Sequence, residues 1–243
     1  MDPQYATAYP TLYRHHWWWR TREKILLRKI RHILAGVPSS RMLDVGCGAA
    51  LFFDALEPLG HVEGIESDPA AVEQSGRWRN RILVGDLDGS YLPAAPFDLI
   101  LLLDVLEHTR APEELLRHAA RHLTDTGRIL VTVPAFQWLW TAHDDLNHHV
   151  ARYTANQMRR VFESADLIAV ETGYMFQSLV LPKLLVRGRE ALTSGVARVP
   201  TIPPAALNDA IQTWFAVEYA LAGRLPFGGS VIAIAAHRGS NRS

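Results

Sequence analysis

Arg41-Met42-Leu43-Asp44-Val45-Gly46-Cys47-Gly48-Ala49-Ala50 is the stretch on which the reading of this chain turns. A short apolar strand runs into Asp44, and the chain then bends through Gly46 and Gly48 toward a helix. Glycine has no Cβ and tolerates positive φ, so backbone in such a turn can approach a ligand closely. The first N–H groups of the helix that follows are free at the same place. A glycine-rich turn alone is a weak signal, and its meaning depends on what the later strands carry to the same edge.

Outward from that turn, apolar runs alternate with helical patterns. Strands are expected at Met42–Val45, His61–Glu66, Arg81–Val84, Phe97–Leu103 and Arg128–Val133, with a sixth at Leu167–Thr172 and a seventh at Ser230–Ala236. Ser67-Asp68-Pro69 caps one intervening helix, Pro112-Glu113-Glu114 opens another, and Thr154 with Gln157 forms a capping box before a third. Alternation of this kind predicts an α/β fold, a doubly wound Rossmann-like sheet that is mostly parallel. Residues 1–15 show no clear period. From His16 to Ala35 the pattern is helical, with Trp19, Leu26, Ile30, Ile33 and Leu34 on one face and Arg20, Arg22, Lys24, Arg28, Lys29 and Arg31 largely on the others. Two helical stretches around Val199-Pro200-Thr201-Ile202-Pro203-Pro204 read as an inserted layer. The expected organisation is one domain over 1–243: an N-terminal aromatic and basic helix with a lid (1–36), a cofactor-binding core (37–176), a helical insert (177–227) and a last strand (228–238).

Composition narrows the partners. The 243 residues are 48% hydrophobic, enough for a sizeable core, and the formal net charge is zero, which disfavours a polyanion such as nucleic acid. The single cysteine, Cys47, permits no internal disulfide and suits a reducing cytoplasm, the expected location. No apolar run reaches the length of a membrane span, and no secretory h-region is visible at the start.

In open α/β sheets, ligands bind beyond the carboxyl ends of the strands. The second strand ends at Glu66, 22 residues after Asp44, where a carboxylate can accept two hydrogen bonds from a ribose diol. The third leads into Gly85-Asp86-Leu87, placing a carboxylate where an adenine amino group would lie, and the fourth ends in Asp104-Val105-Leu106-Glu107-His108. A dinucleotide fingerprint requires a third glycine where this chain has Leu51, and the Gly-Lys-Ser/Thr of a phosphate-binding loop is absent.

Leu43-Asp44-Val45-Gly46-Cys47-Gly48, Gly64-Ile65-Glu66-Ser67, Gly85-Asp86 and Phe97-Asp98 through Asp104-Val105-Leu106-Glu107-His108 resemble the class I S-adenosylmethionine-dependent methyltransferases. The resemblance implies a seven-stranded sheet whose last strand is antiparallel, with S-adenosylmethionine as cofactor. It implies a cofactor site of Asp44, Gly46, Cys47, Gly48, Glu66, Ser67, Asp86, Leu87, Asp104, Val105 and His108, in which Glu66 holds the ribose hydroxyls and Asp86 faces the adenine. One departure is Ala50, where many members carry glycine. Pro134 through Thr154 and the close Arg224-Leu225-Pro226-Phe227-Gly228-Gly229-Ser230 resemble a subgroup whose acceptors are mostly undefined.

For the acceptor, the richest segment is Trp138–Tyr153. Trp138 and Trp140 can wall an apolar pocket, with Arg152 and Tyr153 as further contacts and Trp18 as part of a lid. His149 is the first choice for a base and His143 the second, because imidazole titrates near neutrality. Three histidines and two aspartates fall between His143 and His149, yet a dense loop fixes no ligand geometry, so no metal site is assigned. The Asn/Asp-Pro-Pro-aromatic tetrad of base-methylating enzymes is absent; Val133-Pro134-Ala135-Phe136 stands in its place. A small-molecule or lipid-like acceptor methylated at oxygen is expected. The alternative is a non-catalytic cofactor-binding partner subunit, or a module that meets a membrane surface through Trp17-Trp18-Trp19, for which packing on the sheet is favoured. No oligomeric state is read from the sequence.

Overall fold

A computed structural model describes residues 3–192, 199–222 and 225–239. Arg224 of the closing motif and residues 193–198 of the expected insert lie outside them. Two helices lead: α1 (Pro3–His15) and α2 (Trp17–Ile33). They are followed by β1 (Arg41–Val45), α3 (Phe53–Leu56), β2 (His61–Glu66), α4 (Pro69–Glu73), β3 (Ile82–Val84) and β4 (Phe97–Leu103). Then come α5 (Pro112–Arg121), β5 (Leu123–Pro134), α6 (Ala142–Leu146), α7 (Ala155–Ser164) and β6 (Leu167–Met175). The chain continues through α8 (Val180–Leu192) and α9 (Ala205–Ala222) into β7 (Ser230–His237).

Among the described residues the strands form one seven-stranded sheet in the order β3-β2-β1-β4-β5-β7-β6. Every pairing from β3 to β5 is parallel, and β7 runs antiparallel to both β5 and β6. This is the doubly wound, mostly parallel sheet with an antiparallel last strand that the sequence predicts. Chain order reverses at β1, which pairs with β2 on one side and β4 on the other. In open α/β sheets such a switch point is where the ligand crevice forms.

Both faces of the sheet are apolar because helices cover both. Leu43, Val45, Ile100, Leu102, Ile129 and Val131 pack with Leu116 of α5 and Met158 and Phe162 of α7. The alternate residues Met42, Leu99, Leu101 and Leu130 pack with Ile25, Leu26 and Ile30 of α2, Phe53 of α3 and Phe215 of α9. No helix among the described residues is long and apolar enough to cross a membrane.

The structure departs from the sequence reading in several places. Residues 3–15 are helical despite their lack of period, because Leu12 finds a buried partner in Trp19 that local sequence does not reveal. Pro10 inside that helix further obscures it. After the glycine turn, the expected helix is a single turn that begins only at Phe53 and passes into a 3-10 segment at Glu57–Leu59. Arg22, expected on the charged face of α2, is 8% exposed. It lies three residues after Trp19 and four before Leu26, on the apolar stripe itself.

Candidate active site

The glycine turn is held against the next strand. Gly46 N–H donates to Ile65 O at 2.8 Å, and its φ is +70°. A Cβ on Gly46 would meet Cγ2 of Val105 at 2.9 Å, so no side chain fits there. Ala50 takes φ +54°, the left-handed conformation that glycine provides in many resembling chains. Glu66, half-buried at the end of β2, accepts from Gly48 N at 2.7 Å through one oxygen and from Asp68 N at 2.9 Å through the other. Asp68 in turn caps α4 by accepting from Ala70 N at 2.9 Å.

Behind the turn stands a partly buried electrostatic network. Arg22 reaches from α2 to Asp104 Oδ2 at 2.8 Å and donates to Thr132 Oγ1 at 2.8 Å. The Thr132 hydroxyl donates to Asp104 Oδ1 at 3.0 Å, closing a three-membered network at the ends of β4 and β5. Asp104 holds φ +60°, which turns its carboxylate back toward α2. Asp44 is 5% exposed, and burial pushes its carboxyl up to about 7, with Arg22 opposing and Glu66 reinforcing. Burial and the neighbouring Asp44 and Glu66 charges also push up the Cys47 thiol, which therefore stays protonated. Asp86 and Ser67 are exposed at the rim, Val105 is half-buried and Leu87 is buried. The nucleotide-type residues thus converge on the crevice between β1, β2 and β4. A half-buried carboxylate beside a turn whose glycines both take positive φ, +70° at Gly46 and +55° at Gly48, fits a ribosyl cofactor.

The second half of the site is the loop after β5. Asp144 is fully buried at N3 of α6, where it forms a capping box with Thr141. Its carboxylate accepts a bidentate pair from Arg152, Nε to Oδ1 and Nη2 to Oδ2, both at 2.8 Å. It also accepts from His149 Nδ1 at 2.8 Å and from Thr141 N at 2.9 Å. Burial alone would raise this carboxyl; the bonds from His149 and Arg152 outweigh it and hold the group well below the usual carboxylate range. An ionised Asp144 only accepts, so His149 Nδ1 carries the hydrogen of that bond, and in the neutral imidazole Nε2 is the lone-pair site.

The loop is tied to the end of β4. Val150 N donates to Glu107 O at 2.7 Å, and the Tyr153 hydroxyl donates to Leu106 O at 3.2 Å. His108 is exposed and lies edge-on to His149, ring centroids 4.9 Å apart. Burial and the His149 ring push the His108 imidazole down. The Glu107 side chain beneath them is 1% exposed, and both of its carboxylate oxygens are without a hydrogen-bond partner. From above, α8 approaches: Arg187 donates to Trp138 O, and Ala142 N donates to Glu190 at 3.2 Å. Burial, and then Arg152, pull Lys183 of α8 down to about 8.

Several expected acceptor contacts turn inward instead. Arg152 is 4% exposed, bound to Asp144 and, through Nη1, to Ala135 O at 2.9 Å. Its guanidinium braces the loop because a buried cation needs a buried anion. Tyr153 is also buried, its hydroxyl bonded to backbone and pushed up to about 12 by burial. His143 faces Asn147, with Nδ2 to Nε2 at 3.1 Å, and burial pulls it down to about 4, so it is neutral at physiological pH. Trp138 is 46% exposed, tilted against Phe136, while Trp140 donates to Asp145 at 2.9 Å. Trp18 stacks on Phe176 with the Arg22 guanidinium 5.6 Å from its ring, Trp17 stacks on Phe215, and Trp19 is buried. The tryptophan run packs against the protein.

Arg22, Asp144 and Glu107 are the residues that the candidate list from sequence omits. The stripe spacing of Trp19, Arg22, Leu26 and Ile30 signals the first, and Thr141-x-x-Asp144 signals the second as a cap.

Comparison with known proteins identifies the domain. A family model described as a methyltransferase domain matches residues 18–172, well over half of the chain. The ubiquinone biosynthesis O-methyltransferase of Caulobacter vibrioides is 30% identical over 123 residues, 45% of this chain and 48% of that protein. The mitochondrial enzyme of the same name from Schizosaccharomyces pombe is 26% identical over 102 residues, 38% of this chain and 37% of that protein. The chain therefore matches less than half the length of these curated relatives. An S-adenosylmethionine-dependent methyltransferase from Clostridium acetobutylicum superposes with a TM-score of 0.58 at 8% identity, covering 90% of this chain and 92% of that one. A magnesium protoporphyrin IX methyltransferase from Synechocystis, solved with bound S-adenosylhomocysteine, gives 0.54 at 12% identity over 90% of this chain and 84% of the other. With the family model covering the whole glycine-turn crevice and the strand ends around it, the chain belongs to the methyltransferase-domain family, the class I S-adenosylmethionine-dependent methyltransferases.

Proposed function

We propose that this protein transfers a methyl group from S-adenosylmethionine to an oxygen of a small or lipid-like acceptor. The observation that carries the oxygen assignment is the His149–Asp144 pair at 2.8 Å, which leaves Nε2 of an oriented imidazole beside the end of β4. A hydroxyl acceptor must lose a proton as it is methylated, and an imidazole fixed in one tautomer by a buried carboxylate is suited to take it. The two curated relatives described above are named O-methyltransferases, which supports the same atom.

When bound, S-adenosylmethionine supplies a methyl carbon already activated by its sulfonium leaving group. The protein's part is then alignment and exclusion of water, which can contribute several powers of ten in rate. Glu66 takes the ribose diol, Asp86 the adenine edge, and the backbone from Gly46 to Gly48 lies along the cofactor. Arg22 and Asp104 offer one cation and one anion side by side, the match for a zwitterionic amino-acid end. Trp138 and Phe136 supply an apolar wall for the acceptor, and α8 lies against it through the Arg187 bond to Trp138 O. Arg152 and Tyr153 position the loop that carries His149. A cytoplasmic location belongs to this reading, in keeping with a lone cysteine held as a thiol.

Calorimetric titration with S-adenosylhomocysteine, paired with a methyl-transfer screen of hydroxylated acceptors, tests it. Saturable binding is expected for the wild type, at least tenfold weaker in Glu66→Ala because charged hydrogen bonds are lost. His149→Ala should keep that binding and lose transfer to oxygen. No binding at high micromolar concentration overturns the cofactor reading, and undiminished transfer in His149→Ala overturns the base.

A further inference from the structure

We propose that Glu107, His108 and His149 form a binding site for a divalent transition-metal ion of the zinc or manganese class, at the acceptor side of the crevice. This inference rests on the oxygen-acceptor reading above and changes one role in it: with the ion bound, His149 serves as a ligand in place of the base, and the acceptor loses its proton through coordination.

Three observations point to a cation. The ligand atoms of Glu107, His108 and His149 all lie within 4.8 Å of one another. Glu107 is 1% exposed, yet neither of its carboxylate oxygens has a hydrogen-bond partner. A buried carboxyl that ends beside two imidazoles with nothing bonded to it leaves a desolvated group uncompensated, and a cation is the natural complement. The third observation is the support behind His149. Its Nδ1 hydrogen goes to Asp144 at 2.8 Å, and Asp144 is itself held by Arg152 and Thr141. A carboxylate behind a histidine, fixing the tautomer and freeing Nε2, is the outer-shell arrangement that metal-binding histidines recurrently have.

The two segments that bring the ligands together are already clamped. Glu107 and His108 sit on the 3-10 turn Leu106–His108, and His149 sits on the loop after α6. The Val150 N to Glu107 O bond at 2.7 Å and the Tyr153 hydroxyl to Leu106 O bond at 3.2 Å join them. Metal–ligand distances of about 2.0–2.1 Å put tetrahedral ligand atoms about 3.3 Å apart. The present group, within 4.8 Å, must contract to reach that spacing, and His108, the one exposed ligand of the three, is the side chain with room to move. Two imidazoles and one carboxylate select zinc, manganese, iron or cobalt over magnesium, which prefers oxygen donors. Three protein ligands leave coordination positions open, so an oxygen of the acceptor can join the ion. Coordination lowers the pKa of that hydroxyl, and its proton passes to water, so in the loaded protein His149 holds the metal rather than the proton.

The test uses the full chain, stripped with chelator and titrated with Co2+ and separately with Zn2+, followed by calorimetry and by the visible absorption of bound cobalt. One equivalent is expected to bind, with affinity falling more than 100-fold in His108→Ala and in His149→Ala. Asp144→Asn should lose about 10- to 100-fold through the supporting carboxylate. Glu107→Gln keeps the shape of the buried side chain and should also lose more than 100-fold. Thermal melting and S-adenosylhomocysteine binding, measured on the same samples, show that each variant is folded. Wild type that binds S-adenosylhomocysteine but neither metal overturns the site and leaves the methyltransferase reading standing. So does metal binding unchanged by His108→Ala and Glu107→Gln. Metal binding without S-adenosylhomocysteine binding would instead overturn the cofactor reading alone.

Discussion

Two carboxylates, Asp44 and Asp144, sit in the two halves of the crevice and are both nearly inaccessible to solvent, yet their environments drive them apart. Asp44, behind the glycine turn, has Arg22 nearby but Glu66 as well, and burial carries its carboxyl up to about 7. Asp144, in the loop after β5, accepts from Arg152, His149 and Thr141 and is held below the usual carboxylate range. The difference separates two kinds of site. On the proposed cofactor side, charge is left incompletely matched, which suits a ligand that brings its own charges and donors. On the proposed acceptor side, the charge is matched from within and holds an imidazole in place. Groups whose surroundings push them to opposite protonation states are a recurring sign of divided labour in an active site.

The sharpest way to break this contrast is Asp144→Ala. It strands the Arg152 guanidinium in a buried position, and chemical denaturation should show a loss of about 3–5 kcal/mol. A change of the size seen at exposed ion pairs would show Asp144 to be no hub. Asp44→Asn probes the other half through pH. The unfolded Asp44 carboxyl titrates near 3.8 and the folded one near 7, so the folded protein retains the extra proton between those values. Its contribution to stability therefore falls as pH rises through that window and is at its least favourable above 7. The stability gap between Asp44→Asn and wild type should grow in favour of the variant from pH 4 to pH 8 by roughly 2–4 kcal/mol, at about 1.4 kcal/mol per tenfold change in proton affinity. A gap that stays constant with pH removes Asp44 from the contrast. Arg22→Met has a smaller effect, read as binding. It removes the cation between Asp44 and Asp104 and should weaken S-adenosylhomocysteine about 10- to 100-fold, the range of one or two charged hydrogen bonds. Unchanged affinity would make the Arg22–Asp104 pair purely structural.

Much of the fold is legible in the sequence because parallel strands buried on both faces read as apolar runs with polar ends. The expected His61–Glu66 and Phe97–Leu103 coincide residue for residue with β2 and β4. Where burial depends on a distant partner, the signal fails: α1 is invisible without Trp19, and β5 starts five residues before the expected Arg128 because its first half pairs only through Phe97. The site divides in the same way. Asp44, Glu66, Asp86 and Asp104 stand at strand ends, which spacing alone can locate. The roles of Arg152 and Glu107 are set by what the folded loop places against them. Arg152 looks like a surface contact until Asp144 meets it, and Glu107 looks like one more polar residue of its segment until its burial is seen.

The position of β7 between β5 and β6 has a consequence for how the molecule is made. β6 lies at the sheet's edge and pairs with β7, which follows every other strand in sequence. During synthesis, the half that carries the glycine turn can assemble from β1 to β5 while β6 still has no hydrogen-bonding neighbour. That exposed edge, with the whole of α8 and α9 still to be translated, is the interval in which the nascent chain is open to wrong pairing. Closure by β7 would then be the late, long-range step that sets the folding rate.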